Sequence, residues 1–161
     1  MGVWRMENIG VYSLEYDFDG MCCLRKQQST GYAGGYTITS NAITINLLNN
    51  VFSPTLNVEE YIYMIACDKN MKVLGLFILA HGETGITRYS AKAVLVRAMI
   101  CNATNVILAR NSHDNDCSLN ANEADNFRKL RKIANTVGIT IKDNIIMAER
   151  KYFSFEEQNI R

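Results

Sequence analysis

Two apolar runs set back to back constrain this chain more than any other feature. Tyr61-Ile62-Tyr63-Met64-Ile65-Ala66-Cys67 carries no charge, Asp68-Lys69-Asn70 interrupts it, and Val73 to Ala80 resumes the run after Lys72. Continuous apolar runs joined by a polar turn read as a hairpin at the centre of a sheet, covered on both faces, because a strand with one wet face alternates instead. The rest of the chain must supply that cover.

Asn8 to Tyr16 alternates as a half-buried strand, Asp17-Phe18-Asp19-Gly20 reads as a turn, and Met21-Cys22-Cys23-Leu24 as the return strand of a first hairpin. The Gly/Tyr-rich stretch Ser29 to Tyr36 has little core-forming pattern and is expected to be a mobile surface loop rather than a ligand-binding flap. Thr39-Ser40-Asn41 offers N-cap residues for a helix through Ile43, Leu47, Leu48 and Val51, ending by Pro54. After His81-Gly82-Glu83-Thr84-Gly85, a second helix from Ser90 to Asn102 presents Ala91, Val94, Leu95, Ala98 and Met99 on one face. Val106 to Ala109 is a buried strand, Asn122 to Val137 a third helix stopped at Gly138, Ile139 to Met147 a strand, and Tyr152 to Phe155 a last short one. The order (β-hairpin, α, β-β, α, β, α, β, β) predicts an α/β (α+β) fold, a mixed sheet with helices on both faces, in one domain over 1–161.

Polar chemistry gathers between Asn105 and Phe127. The strand ending at Ala109 releases a loop of Asn, Asp, Ser and His, and Asn120 sits three residues before Glu123, an Asn-x-x-Glu signal for the third helix. A strand that frees a polar loop into a helix N-terminus is where α/β proteins usually place functional groups.

Composition removes several function classes. A net charge of +1 gives no long-range field, so the Arg128-Lys129 and Arg131-Lys132 cluster reads as a solvated helix face and nucleic acid is disfavoured as a partner. No apolar run is long enough to span a bilayer and no signal peptide opens the chain, so no membrane association and a cytoplasmic location are expected. The five cysteines form no C-x-x-C pair. Cys67 and Cys101 fall in apolar runs as core residues, Cys22 and Cys23 point to opposite faces of a strand, and Cys117 stands in the polar loop. Trp4, Tyr32 and Tyr36 are expected to anchor a strand or loop.

From Ile38 to Phe155 the chain resembles the JAB/MPN (JAMM) domain in its RadC-type version, a cytidine-deaminase-like architecture. Glu60 with its apolar run and Asp68-Lys69-Asn70 resembles the family's "Glu, apolar run, Asp-x-x-Asn" strand, whose Glu is the general base of active members. His81 falls at the family's oxyanion-assisting serine in Ala80-His81-Gly82-Glu83. Asn102-Ala103, Ile107-Leu108-Ala109 and Asn111 keep family identities on the way to the His-Asn-His motif. Asp143-Asn144-Ile145-Ile146 falls on the family's Asp-His-Ile-Ile, and Tyr152-Phe153-Ser154-Phe155-Glu156-Glu157 is similar to its closing Tyr-x-Ser-Phe-x-Glu. Residues 1–37, the first hairpin and Gly/Tyr stretch, lie outside the match, as does the helix-hairpin-helix region that longer RadC-type proteins carry upstream.

The resemblance breaks at the metal. Arg110 and Ser112 occupy the two histidine positions and Glu123 the third, acidic ligand position, while His113, Cys117 and Leu119 replace residues of the family's Pro-containing loop. Arginine cannot ligate zinc, and serine is a poor ligand beside His, Cys or carboxylate. The expectation is therefore a domain without a cofactor, Glu60 and His81 vestigial, in which Arg110 sits between Glu60 and Glu123 in place of the ion. It would act as a binding or scaffold module for a protein or peptide, with a homodimer left open. The alternative is a zinc-dependent isopeptidase-type hydrolase using Glu60 and a rewired ligand set of His81, His113, Glu123 and Asp116 or Cys117. A DNA-repair-associated accessory role rests on family association and the basic helix of Arg128-Lys129 and Arg131-Lys132 alone. Glu123 also has a purely structural reading, as the N3 member of an Asn120 capping box.

Overall fold

The computed structural model describes residues 7–113 and 116–161; Trp4 lies outside them. The elements follow the expected order: β1 (Asn8–Tyr16), β2 (Cys22–Ala33), α1 (Asn41–Phe52), a 3-10 turn (Pro54–Leu56), β3 (Glu60–Cys67) and β4 (Val73–Gly82). Then come α2 (Ala91–Ile100), β5 (Asn105–Asn111), α3 (Glu123–Thr136), β6 (Thr140–Met147) and β7 (Tyr152–Ser154). The strands form one sheet in the order β2-β1-β4-β3-β5-β6-β7. It is mixed, since β3 pairs antiparallel with β4 and β5 while β5–β6 and β1–β4 are parallel.

Strand alternation divides the interior into two cores. Met64 and Ala66 of β3 and Val106 and Leu108 of β5 pack under α2 and α3, with Val94, Ala98, Phe127, Leu130 and Ala134. Tyr63, Ile65, Ile107 and Ala109 face the other way, onto Leu47 and Leu48 of α1. Helix starts are set locally: the Ser40 side chain accepts from the Ile43 N–H and Ser90 from the Ala93 N–H, each satisfying a donor the helix leaves open. Gly138, at φ +76°, ends α3, and the Ile139 N–H behind it donates to Ala134 O at 3.0 Å.

Three readings need correction. Ser29 to Ala33 is not a loop: it completes β2, with Gly10 opposite Ser29 and Asn8 opposite Ala33. β2 is largely exposed and so lacks an apolar rhythm, but β1 supplies its backbone partner. The turn comes at Gly34-Gly35, after which Tyr36 packs edge-on against Tyr32. Met99 is half exposed rather than part of the α2 core face. Cys117, from the polar loop, is 2% exposed and belongs to the α2/α3 core, its thiol against Lys151 O.

On β6, buried Asp143 fastens the segment around β7. It accepts from Ser154 Oγ at 2.5 Å and from the Asn144 and Glu156 N–H groups. Burial pushes its carboxyl up, against these hydrogen bonds, which favour the charged form. A carboxyl raised in the folded state contributes stability that is fully present below the ordinary carboxylate range and is lost as pH rises through the raised value. Asp143→Asn keeps an acceptor for the two N–H groups and removes the titration. The variant should therefore gain stability relative to the parent as pH climbs from 4 toward 7, read as the difference in urea midpoint at a series of pH values. A constant difference would place Asp143 outside the acid titration.

Candidate functional site

The ends of β3 and β5 and the start of α3 meet on the α2/α3 side of the sheet. Ile62 and Arg110 are register partners, so Glu60, two residues before Ile62, shares a sheet face with Arg110. β5 does not stop at Ala109 as expected. It runs to Asn111, and Arg110 and Asn111 continue it as buried polar residues because each finds partners.

Asn111 is a clamp. Its Oδ1 accepts the Tyr61 N–H at 2.6 Å, and its Nδ2 donates to Glu59 O at 2.9 Å and to Pro54 O at 3.2 Å. The peptide groups on both sides of Glu60 are thereby fixed. Arg110 then reaches across to the first residue of α3: Nε donates to Glu123 Oε1 at 2.8 Å and Nη2 to Glu123 Oε2 at 3.0 Å. This is a two-point pair on one carboxylate, the strongest geometry an arginine offers. Nη2 also donates to Ser118 O at 2.6 Å, while Nη1 lies 3.7 Å from Glu60 Oε2. Side-chain exposure is 5% for Arg110, 1% for Glu60 and 14% for Glu123, so little solvent screens the three charges.

Around this triad Glu60 Oε2 accepts long bonds from the Gly85 N–H (3.3 Å) and Asn120 Nδ2 (3.5 Å), and Glu60 Oε1 is buried with no hydrogen-bond partner. Glu123 Oε2 accepts the Asn120 N–H at 2.9 Å. That is the reaching-back half of the anticipated capping box; the Asn120 side chain does not cap, and Asn122 takes the N-cap position at φ 63°. A carboxylate at this end also faces the positive pole of α3. A cavity of about 60 Å³ adjoins the triad, walled in part by Thr87, Tyr89 and Asn126. It has room for a few water molecules, not for a drug-sized ligand. Burial, and then the charge of Glu123, pushes the Tyr89 hydroxyl up.

The other candidate residues are dispersed. His81 is the register partner of Tyr61, which puts it on the opposite sheet face from Glu60. Its ring stacks on Tyr61 at 5.1 Å, its Nδ1 lies 2.9 Å from Glu59 Oε2, and its side chain is 60% exposed. Exposed His113 and buried Ser112 line a separate surface pocket with Thr55, Leu56 and Glu149. Asp116 pairs with Lys151 at 3.2 Å. Among the described residues no three His, Cys, Asp or Glu side chains gather where an ion could be held. Both oxygens of Glu123 already face a guanidinium, so the donors present do not fit zinc.

Sequence reading missed the Asn111 clamp, the Asn120 amide at Glu60 and the Tyr89 wall. The signal Asn111 carried was its family identity in the resemblance, which marked the position without saying what its amide holds.

A seven-stranded mixed sheet with helices on both faces, and a buried strand-end carboxylate facing the loop before a helix, defines a JAB/MPN-type α/β domain. Residues 38–160 match the RadC-like JAB domain, and the chain belongs to that family. It is 31% identical over 104 residues to a UPF0758 protein of Actinobacillus pleuropneumoniae, covering 64% of this chain and 47% of the relative. UPF0758 proteins of Aquifex aeolicus (24% over 102 residues; 63% and 44%) and Thermotoga maritima (25% over 100 residues; 62% and 45%) are also similar. The matched region spans less than half the length of these relatives. No helix among the described residues is long and apolar enough to cross a membrane.

Proposed function

We propose that this RadC-like JAB domain is a non-catalytic binding or scaffold module whose centre is held together by an ion triad instead of a metal ion. One observation carries the reading: the Arg110 guanidinium lies between Glu60 and Glu123 and binds both oxygens of Glu123. A guanidinium stays protonated and has no lone pair to offer, so at a ligand position it contributes charge but no coordination. It also engages the carboxylate that would be left as a metal donor. Glu60, the base position of active relatives, faces Arg110 as an ion pair at 3.7 Å and accepts from Gly85 and Asn120 rather than being aimed at an activated water.

The partner we infer is a protein or peptide. Leu56, Val58 and Ile86 are strongly exposed on the segments leading into β3 and following β4, giving apolar contact area around these strand ends. On α3, Arg128 and Arg131 are paired with Asp125 and Glu156, which leaves less free cation for phosphate. Cysteines held as thiols, including exposed Cys22, suit a reducing cytoplasm.

Metal content is the test. Protein purified without an affinity tag, reloaded with zinc and dialysed, should retain far less than stoichiometric zinc, and its melting temperature should not respond to a chelator. Near-stoichiometric zinc, with a melting temperature that falls on chelation, would overturn the reading in favour of a zinc-dependent hydrolase with Glu60 as base.

A further inference from the structure

Away from the triad, the sheet narrows at one seam, between β1 and β4. Among the described residues one register pair, Val11 with Leu76, joins β1 to β4. The strands are held there by Tyr12, whose ring lies so close over Gly75 that a Cβ on that residue would meet it at 3.0 Å. Beyond this crossing a cavity of about 440 Å³ is lined by Val11 and Leu14 of β1, Val51 and Phe52 of α1, Ile78 of β4 and Arg97 of α2. α1 and α2 cover opposite faces of the sheet, and Val11 and Leu14 alternate to opposite faces of β1. The cavity therefore sits at the strand edge and reaches both faces. Its size falls in the range of small-molecule sites.

Its walls are mixed, with Ser13, Gln27 and Gln28 beside the apolar residues, and its one cation lacks a counter-charge. Arg97 Nη1 donates to Ala93 O at 2.8 Å within its own helix, but Nε is buried with no acceptor. Among the described residues no carboxylate lies within ion-pair distance of Arg97. Glu15, further along β1, is already bonded by Ser13, Arg25 and Gln27. Arg97 is half-buried, and burial lowers the pKa of its guanidinium, partly offset by the nearby Cys22. A donor left in this state is costly to the fold, and an anion that reached it would relieve the cost.

We infer that the cleft between β1 and β4 is a binding site for a small carboxylate with an apolar body, the carboxylate bonded to Arg97 and the body lying against Leu14, Phe52 and Ile78. The site is separate from the Arg110 centre and does not rest on the reading of that centre. A straight-chain decanoate is the probe, and decanol, of the same length without the charge, is its control. Backbone amide NMR of the full chain should show saturable decanoate shifts at Val11, Leu14, Val51 and Ile78, and decanol should bind at least about tenfold more weakly. Arg97→Met should abolish that preference. Leu14→Trp, which keeps the charge and fills the apolar part, should abolish binding of both probes, so the proposal stays testable if either variant folds poorly. Equal affinity for decanoate and decanol, shifts that map elsewhere, or no saturable shift would overturn it.

Discussion

Arg110→Met should lower the unfolding free energy by about 3–5 kcal/mol, the range for removing one partner of a buried ion pair. The size follows from what is left behind. Without the guanidinium, Glu60 keeps only contacts of 3.3 and 3.5 Å from Gly85 and Asn120, one of its oxygens already has no partner, and it faces Glu123 across a methionine. Two buried carboxylates with nothing between them repel strongly because little water screens them. The exposed Arg128–Asp125 pair, at the same 2.8 Å as the Arg110–Glu123 contact, is the internal control; Arg128→Met should cost only about 0.3–0.5 kcal/mol. Removing all three charges at once, with Glu60→Gln and Glu123→Gln added to Arg110→Met, should recover most of the loss. The full triad does not add stability in proportion to its charges, because desolvating three ions offsets much of their attraction. Urea unfolding at neutral pH reads all three variants. A loss at Arg110 no larger than at Arg128 would mean that the triad is solvated and that Arg110 does not stand in for an ion.

Why the triad was legible, and other features were not, depends on how each piece of information is stored. The two central runs, the Ser40 and Ser90 caps and the Gly138 stop are local signals, and the element order follows from them. Arg110 and Glu123 sit at the end of an apolar strand and the start of a helix, so their closeness follows once strand, loop and helix are placed. The second half of β2 is different, because an exposed strand is specified by its neighbour rather than by its own pattern. The side taken by His81 is also non-local. Register shifts between Ala66 and Cys67 and again between Ile62 and Tyr63 each slip the β3–β4 pairing by a residue. One such bulge alone would put His81 on the face of Glu60; the second returns it to the face of Tyr61. No residue in the runs announces either bulge. Cys117 was read by its polar neighbours, yet a loop folding back over α3 can bury one small apolar side chain while its flanks stay wet.

Asn111→Leu tests the scaffold beneath the triad and should cost about 2–4 kcal/mol, although it changes no charge. Leucine fills nearly the same volume but leaves the Tyr61 N–H and the carbonyls of Glu59 and Pro54 without the partner that now serves all three. A buried backbone group left unsatisfied costs about 1–3 kcal/mol, and the lower part of that range applies here because Tyr61 is half-buried and Glu59 exposed. Asn111→Asp separates the two halves of the clamp. Its oxygens can still accept from Tyr61, but they meet the two carbonyl oxygens with a charge and no donor, so the aspartate should be no better tolerated than leucine. Urea unfolding gives the cost, and hydrogen exchange gives its location: the Tyr61 amide should lose protection in the leucine variant and keep more of it in the aspartate variant, while amides in the middle of β3 keep theirs in both. Unchanged protection at Tyr61 would show that β3 holds Glu60 without help from Asn111. Loosened protection there, with the Arg110–Glu123 pair still intact, would assign the two residues separate tasks. Asn111 would fix the strand end that carries Glu60, and Arg110 would neutralise what that strand end presents.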